Sequence, residues 1–355
     1  MKILYLATDF NLVGGKEQYD RNVLHALYEL DHPARAIKLL GTSLLQKLSF
    51  AVRSCIYAVA IRPDIIFLAH LPFLPMGKFI QEFLNIPYVV SVHGIEAWHI
   101  KKDSHKKALL KARAVLAVSR YTAEKLWNQI PNLKKKIFFL KNMVDGKEFS
   151  IQEKPQYILE RHNLKDAKVI LTVSRLYPSD EKKGHLNVIN ALPIVQKVFP
   201  NVRYVIVGSG LKGFGDNRQR ISQYAREQGV GGLVILTGRV SSKELGDYYN
   251  ACDVFVMPST QEGFGVVFLE ALASGKPVIA GNRDGSREAV LEGELGILVN
   301  PESKEEIARA IIKVFRGEAE GRFYNREYLR KRVLEVYGHE KFKENLTKFL
   351  AVLKK

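Results

Sequence analysis

Two carboxylates, Glu262 and Glu270, stand eight residues apart in a stretch with little other use for charge, DVFVMPSTQEGFGVVFLEALASGKPVIAG at 253 to 281. Val266, Val267, Phe268, Leu269, Ala271, Leu272 and Ala273 predict a helix buried on nearly every side, with Glu270 as its one charged residue. A lone carboxylate there must meet a cation, backbone donors or the hydroxyls of a ligand, because burial without a partner raises its pKa or destabilises the fold. At helix rise, eight residues span about 12 Å, the scale of the distance between the two sugars of a sugar nucleotide. One carboxylate for each sugar fits that spacing. Between them, the amides of Gly263, Phe264, Gly265 and Val266 open toward a helix N-terminus, which attracts oxygen-rich and anionic groups. Two plainer roles compete: Ser259 and Glu262 have the spacing of a capping box, and Glu270 suits a core arginine.

Cations occur where a phosphate would need them. In SRLYPSDEKKGH, Arg175 ends a strand and Lys183 precedes a helix, so the two can clamp a diphosphate from opposite sides; surface ion pairs with Asp180 or Glu181 are the competing role. Lys182 is adjacent and carries the same charge. His93 follows the strand Tyr88 to Val92, and strand carboxyl ends are where open α/β sheets bind ligands. Gly14 and Gly15 lie between a first strand, Lys2 to Ala7, and a helix carrying Tyr19, Val23, Leu27 and Leu30. No Asp-x-Asp pair exists, so a paired-carboxylate site for magnesium has no obvious source and no metal is expected. Cys55 and Cys252 have neither disulfide nor zinc spacing, which suits a reducing compartment.

Positioning these residues takes alternating strands and helices. Strands are predicted at Ala34 to Leu40, Asp64 to Ala69, Tyr88 to Val92 and Ala114 to Ser119, with helices at Lys101 to Ala112 and from Thr122. A polar linker with a short helix fills 150 to 166. From Ala167 the order is plain: VILTVS, a helix from His185, RYVIVG, a helix at about 215 to 228, LVILTG, a helix at 242 to 250, then the stretch holding both carboxylates. Three amphipathic segments, 303 to 316, 322 to 337 and 339 to 354, close the chain. Parallel sheets with helices on both faces follow. After the second of these strands, GSGLKG at 208 to 213 has the G-x-G-x-x-G spacing, a weak signal by itself, and an NAD-dependent oxidoreductase is the disfavoured reading.

A chain of 355 residues with 46% hydrophobic content can bury two cores. Its net charge of +17 comes from 54 Lys and Arg against 37 Asp and Glu; residues 1 to 150 hold 22 against 12, leaving 32 against 25. Most of the early excess falls between Lys101 and Lys147. A solvated helix face, a nucleic-acid surface, and a patch facing anionic lipid or a diphosphate-linked acceptor all fit that charge. MKILYLATDF reads as a strand rather than a signal peptide, and no run of 18 uncharged apolar residues predicts a membrane span.

Taken together, EGFGVVFLE resembles the E-x7-E signature of the retaining glycosyltransferases of family 4, nearest to exopolysaccharide mannosyltransferase-like members. The resemblance extends to His93-Gly94, to the Arg175 and Lys183-Gly184 pair, and to N-x-V-D-x3-F at Asn142 to Phe149. It implies the GT-B fold: an α/β protein of two Rossmann-like domains whose parallel sheets face across a cleft. The expected domains are an acceptor domain at 1–155, with the helix at about 339–355 packing back on it, and a nucleotide-sugar domain at 156–338. The implied roles are Glu262 on the donor sugar, Glu270 on the ribose, Arg175 and Lys183 on the diphosphate, Gly15 over the diphosphate, His93 on the sugar hydroxyls and the backbone near Val240 on the base. A hexose would pass from GDP-mannose or a UDP-hexose to a glycan or lipid-linked acceptor, with retention and without metal or cofactor. The enzyme would be cytoplasmic and peripheral at the inner membrane face, touching anionic lipid through Lys101 to Lys147 and binding no nucleic acid. A GT-B sugar-nucleotide epimerase is the main alternative, and a basic nucleic-acid-binding protein a lesser one.

Overall fold

The computed structural model describes residues 1–9, 14–210 and 215–354, and for 179–181 the backbone alone. The chain divides into two compact units, Met1–Met143 with Glu340–Lys355, and Val144–His339.

The first unit holds β1 (Ile3–Thr8), β2 (Ala34–Leu39), β3 (Ile65–Leu68), β4 (Tyr88–Val92), β5 (Ala114–Ala117) and β6 (Ile137–Phe139). They form one parallel sheet in the order β2-β1-β3-β4-β5-β6. Every residue of β3, β4 and β5 is buried, as expected for strands covered on both faces and written as continuous apolar runs. The connecting helices are α1 (Gly15–Glu29), α2 (Leu44–Ile61), α3 (Leu74–Leu84), α4 (Ile95–Trp98), α5 (Asp103–Lys111) and α6 (Arg120–Gln129). The last of these starts two residues before Thr122, because the Ser119 hydroxyl caps it by accepting from the Thr122 amide at 3.0 Å. Strand order reverses between β1 and β3, so this unit's crevice lies at their carboxyl ends.

The second unit repeats the plan with β7 (Lys168–Val173), β8 (Val202–Val207), β9 (Val234–Gly238), β10 (Val254–Met257), β11 (Val278–Gly281) and β12 (Ile297–Val299). The order is β12-β11-β10-β7-β8-β9, again all parallel, reversing between β7 and β10. Its helices are α7 (Gln156–Arg161), α8 (His185–Val198), α9 (Arg218–Glu227), α10 (Ser242–Ala251), α11 (Val266–Ala273), α12 (Ser286–Ala289), α13 (Lys304–Phe315) and α14 (Arg326–Tyr337). Ile170, Tyr204, Ile206, Val254 and Ile279 of the strands pack with Val188, Leu192, Ile307 and Ile311 of α8 and α13 in one core. The final helix, α15 (His339–Leu353), belongs with the first unit from Glu340 on. Its Phe342 meets the Tyr19 ring at 6.1 Å, and its Phe349 meets Phe67 at 6.2 Å and Phe138 at 5.4 Å.

The boundary between units falls earlier than position 155. Residues 144–154 are tied into the second unit: Arg330 donates to the carbonyls of Gly146 and Phe149 at 2.6 Å, Gln152 donates its amide to Asn250 at 3.0 Å, and Lys154 pairs with Asp253 at 2.7 Å. The elements α2, α3, β6 and β12 are ones that the spacing had not predicted.

Candidate functional site

In the second unit, chemistry gathers at the carboxyl ends of β7 and β10. After β7, the Ser174 hydroxyl contacts Nε2 of His185 at 2.8 Å, and burial with the nearby Lys183 charge depresses that imidazole to about 4. His185 is therefore a neutral strut at neutral pH. Arg175 is exposed, its guanidinium 5.1 Å from the Tyr177 ring centroid.

The turn ending at Lys183 is docked on the loop after β10. Ser259 Oγ and the Thr260 amide both donate to the Lys182 carbonyl at 3.0 Å. Gly184 has φ 88°, and a Cβ there would lie 2.4 Å from the Pro258 carbonyl oxygen, so only glycine allows this approach. The docking turns Lys182 outward and leaves Lys183 half-buried, its ammonium paired with the Glu262 carboxylate. The capping-box role of Ser259 and Glu262 is thereby replaced: Ser259 holds the neighbouring turn, Glu262 pairs with Lys183, and α11 begins only at Val266. Since residues 262 to 265 lie outside the helix, helix rise does not give the Glu262 to Glu270 distance. The competing ion pairs with Asp180 and Glu181 involve side chains outside the described residues.

Glu262 is fixed through its main chain. Its amide donates to Asp284 Oδ2 at 2.6 Å, and its carbonyl accepts from the Gly285 amide at 2.9 Å. Asp284 also takes the amide and the hydroxyl of Ser286. Burial, aided by the Glu262 charge, still pushes Asp284 up to about 6. Asp284 is a residue that sequence reasoning missed; the D-x-S side-chain-to-amide turn was the available signal.

Gly263, Phe264 and Gly265 are buried, and Gly265 precedes α11 with φ 93° and no side-chain cap. The helix is less enclosed than its composition implies. Val266, Val267 and Glu270 form a partly open strip at i, i+1, i+4, with the rest of α11 buried. Among the described residues Glu270 meets no arginine; it accepts from the Tyr249 hydroxyl at 2.6 Å, and burial raises it to about 7 against that hydrogen bond. Val240, half-buried, follows β9 just before the Ser241 cap of α10. The structure thus joins Lys183 with Glu262 directly. It sets Arg175, Val240, Gly263 to Val266 and Glu270 on the same unit.

The first unit has its own polar cluster, at the carboxyl ends of β1, β3 and β4. His93 Nε2 lies 2.9 Å from the Ala69 carbonyl oxygen, and the His93 amide donates to Glu96 at 2.6 Å. Burial, reinforced by His70 at 5.1 Å between ring centroids, lowers His93 to about 4. A neutral ring beside a carbonyl must carry its proton on Nε2, which leaves Nδ1 as a hydrogen-bond acceptor. Burial opposes ionisation of Glu96, yet Lys16 at 3.0 Å and the His93 amide hold its carboxyl down at about 2. Lys16 adjoins Gly15, which is the first residue of α1 rather than part of a loop, so that helix start is linked to His93 through Glu96. Beneath them Asp20, fully buried, takes the Tyr5 hydroxyl at 2.8 Å and lies 3.2 Å from His70 Nε2. Lys16, Asp20, His70 and Glu96 had escaped sequence reasoning; Glu96, three residues after His93, had only the spacing of a helix-start carboxylate as a signal.

Comparison with known proteins matches both units. Residues 156–332 fit the family described as Glycosyl transferases group 1, and residues 12–148 fit Glycosyltransferase Family 4. A GDP-mannose-dependent alpha-(1-6)-phosphatidylinositol monomannoside mannosyltransferase of Mycobacterium tuberculosis is 33% identical over 162 residues. That match covers 44% of this chain and only 40% of the relative. Spore coat protein SA of Bacillus subtilis is 27% identical over 275 residues, 73% of this chain and 71% of that one. Among solved structures, a sucrose-phosphate synthase from Thermosynechococcus elongatus superposes with TM-score 0.82 at 21% identity, covering 99% of both chains. Anabaena HepE, crystallised with UDP and glucose, gives 0.80 at 20% identity over 99% of this chain and 100% of its own. At these identities the likeness is one of fold.

Proposed function

The chain belongs to the family 4 glycosyltransferases, and on that premise we propose that it moves a hexose from a nucleoside-diphosphate sugar to a hydroxyl of a glycan or lipid-linked acceptor, with retention and without a metal. The observation that carries this reading is the half-buried Lys183–Glu262 pair, set where strand order reverses and followed by a helix start that no side chain caps. An ammonium has three N–H donors, so pairing with Glu262 leaves two for phosphate oxygens. Lys183, Arg175 and the first amides of α11 stabilise the charge that grows on the leaving diphosphate. Glu262 holds hydroxyls of the donor sugar and offsets positive charge at the anomeric carbon. His93 accepts from a sugar hydroxyl through Nδ1, while Glu270 takes the ribose and the backbone at Val240 the base. With no carboxylate assigned as nucleophile, the leaving phosphate oxygen accepts the acceptor's proton as the new glycosidic bond forms on the same face.

GDP-mannose is the first donor to try, in keeping with the name of the mycobacterial relative, and a UDP-hexose the second. The same reading assigns the enzyme to cell-surface polysaccharide or glycolipid assembly in the cytoplasm. Thermal melting with GDP, UDP, ADP and NAD in excess EDTA tests it. A ligand at 100 times its dissociation constant stabilises by about 2.7 kcal/mol. A shift with GDP or UDP names the base and supports metal-free binding. A shift with NAD alone overturns the proposal, and an inverted anomeric centre in the product would overturn retention.

A further inference from the structure

Away from both polar clusters, α2 presents an apolar face that no described residue of its own unit covers. Its packing on β1, β2 and α3 buries Phe50, Ser54 and Ala58, which recur every fourth residue. On the opposite side Leu44, Leu45, Leu48, Val52, Ile56 and Val59 are all more than half exposed. At 100° per residue these six fall within an arc of about 120°. The neighbouring helix α3 adds Phe79 and Phe83, exposed with their rings 4.5 Å apart. Single exposed apolar residues need no explanation, whereas a helix-long stripe of them does.

Charge identifies the occupant. No acidic residue occurs from Leu40 to Pro63, while Lys47, Arg53 and Arg62 do. A groove of about 330 Å³ runs along the edge of the stripe, lined by Lys38, Leu40, Leu45, Gln46, Ser49 and Arg53. Apolar side chains beside cations and hydroxyls, with no carboxylate to repel a phosphate, match the boundary between acyl chains and anionic headgroups. A second protein surface has no such need for one sign of charge. We propose that α2 lies in the plane of an anionic lipid bilayer, its stripe among the acyl chains and its groove on a headgroup phosphate.

The helix is long and apolar enough to cross a membrane, but its Phe50, Ser54 and Ala58 side is engaged within the first unit, so it lies on the bilayer rather than through it. The basic stretch from Lys101 to Lys147, the sequence-based candidate for lipid contact, is a poorer surface. Lys111 pairs with Glu82 at 2.6 Å, Lys136 donates to the Leu110 and Ala112 carbonyls, and Lys125 and Lys134 sit over the rings of Tyr121 and Trp127. The α2 surface stands independently of the transferase reading.

Flotation of the full chain on vesicles of phosphatidylcholine, with and without phosphatidylglycerol, tests the proposal. The protein should float with the anionic vesicles and far less with the neutral ones. The double change Leu48→Asp and Val52→Asp should lower the partition coefficient on the order of 100-fold at an unchanged melting temperature. Arg53→Glu should remove the preference for anionic lipid. No flotation of the wild type, or full flotation of the double variant, overturns it. So does a dimer, seen by light scattering, that the double change dissolves, since the face would then belong to a second copy. Nucleotide-dependent melting, read in parallel, keeps any failure here distinct from failure of the donor site.

Discussion

Replacing Glu270 by glutamine should stabilise the unliganded protein in alkali and leave it nearly unchanged in acid. Burial raises this carboxyl from 4.5 to about 7 while the Tyr249 hydroxyl holds it at 2.6 Å. A glutamine amide oxygen can keep that hydrogen bond. Because the folded-state pKa lies above the unfolded one, the folded form takes up the proton first. The associated stability is complete below about 4.5 and is lost as pH rises through about 7. With 1.36 kcal/mol per pKa unit, the loss is about 1 kcal/mol at about pH 5 and about 3 kcal/mol at about pH 8. The glutamine variant has no such loss. Urea unfolding of wild type and Glu270→Gln at both pH values reads the difference, which at about pH 8 should move the midpoint by about 1 M or more. A variant equally stable to wild type at both pH values, or less stable in alkali, would refute the account of Glu270 as a poorly solvated carboxyl awaiting donors. Binding of a ribose diol that donates to Glu270 should lower its pKa, so nucleotide affinity should rise with pH across the same window in wild type only.

Glu262→Ala should reduce transfer by at least about 100-fold while the protein stays folded, because the main chain of residue 262 remains tied to Asp284 and Gly285; equal activity in a steady-state assay would remove its role. Arg175→Ala should weaken GDP or UDP about 10- to 100-fold by calorimetry and leave guanosine or uridine unchanged, the loss expected for charge-assisted hydrogen bonds. Equal loss for both would remove the diphosphate clamp. Gly184→Ala, which must accommodate φ 88° and a carbonyl oxygen 2.4 Å from the new Cβ, should cost at least about 2 kcal/mol in urea unfolding. A variant as stable as wild type would contradict the close docking on Pro258.

Much of the architecture could be read from the chain because its punctuation is local. Gly265 and Gly275 bracket α11, whose bounds at Val266 and Ala273 are the predicted ones, and Tyr88 to Val92 is a fully buried apolar run that can only be a covered strand. The strand β12 is three residues, two of them half-buried, and carries no period. The helix α2 was harder for a different reason: its two faces are both apolar, so the 3.6-residue contrast that marks an amphipathic helix is weak. For the site, residue types at strand ends indicated Arg175, Lys183, Glu262 and His93. The partners did not follow from type. Lys183 meets Glu262 across 79 residues of chain, and Asp20 meets His70 across 50, so only tertiary packing reveals either contact. Lys16 and Glu96 look like ordinary helix-start charges until the fold sets them beside His93.

The placement of α15 bears on how the molecule is made. The second unit is one continuous segment, whereas the first consists of residues 1–143 and a helix encoded after all of the second. On a ribosome, the second unit has its full complement of residues once position 339 has emerged. The first must wait for Phe342, Leu346, Phe349 and Leu350, all buried, to arrive at Tyr19, Phe67 and Phe138. Until then those aromatic surfaces are uncovered, and nascent chains stalled or clipped before α15 should be the ones that chaperones hold and proteases remove.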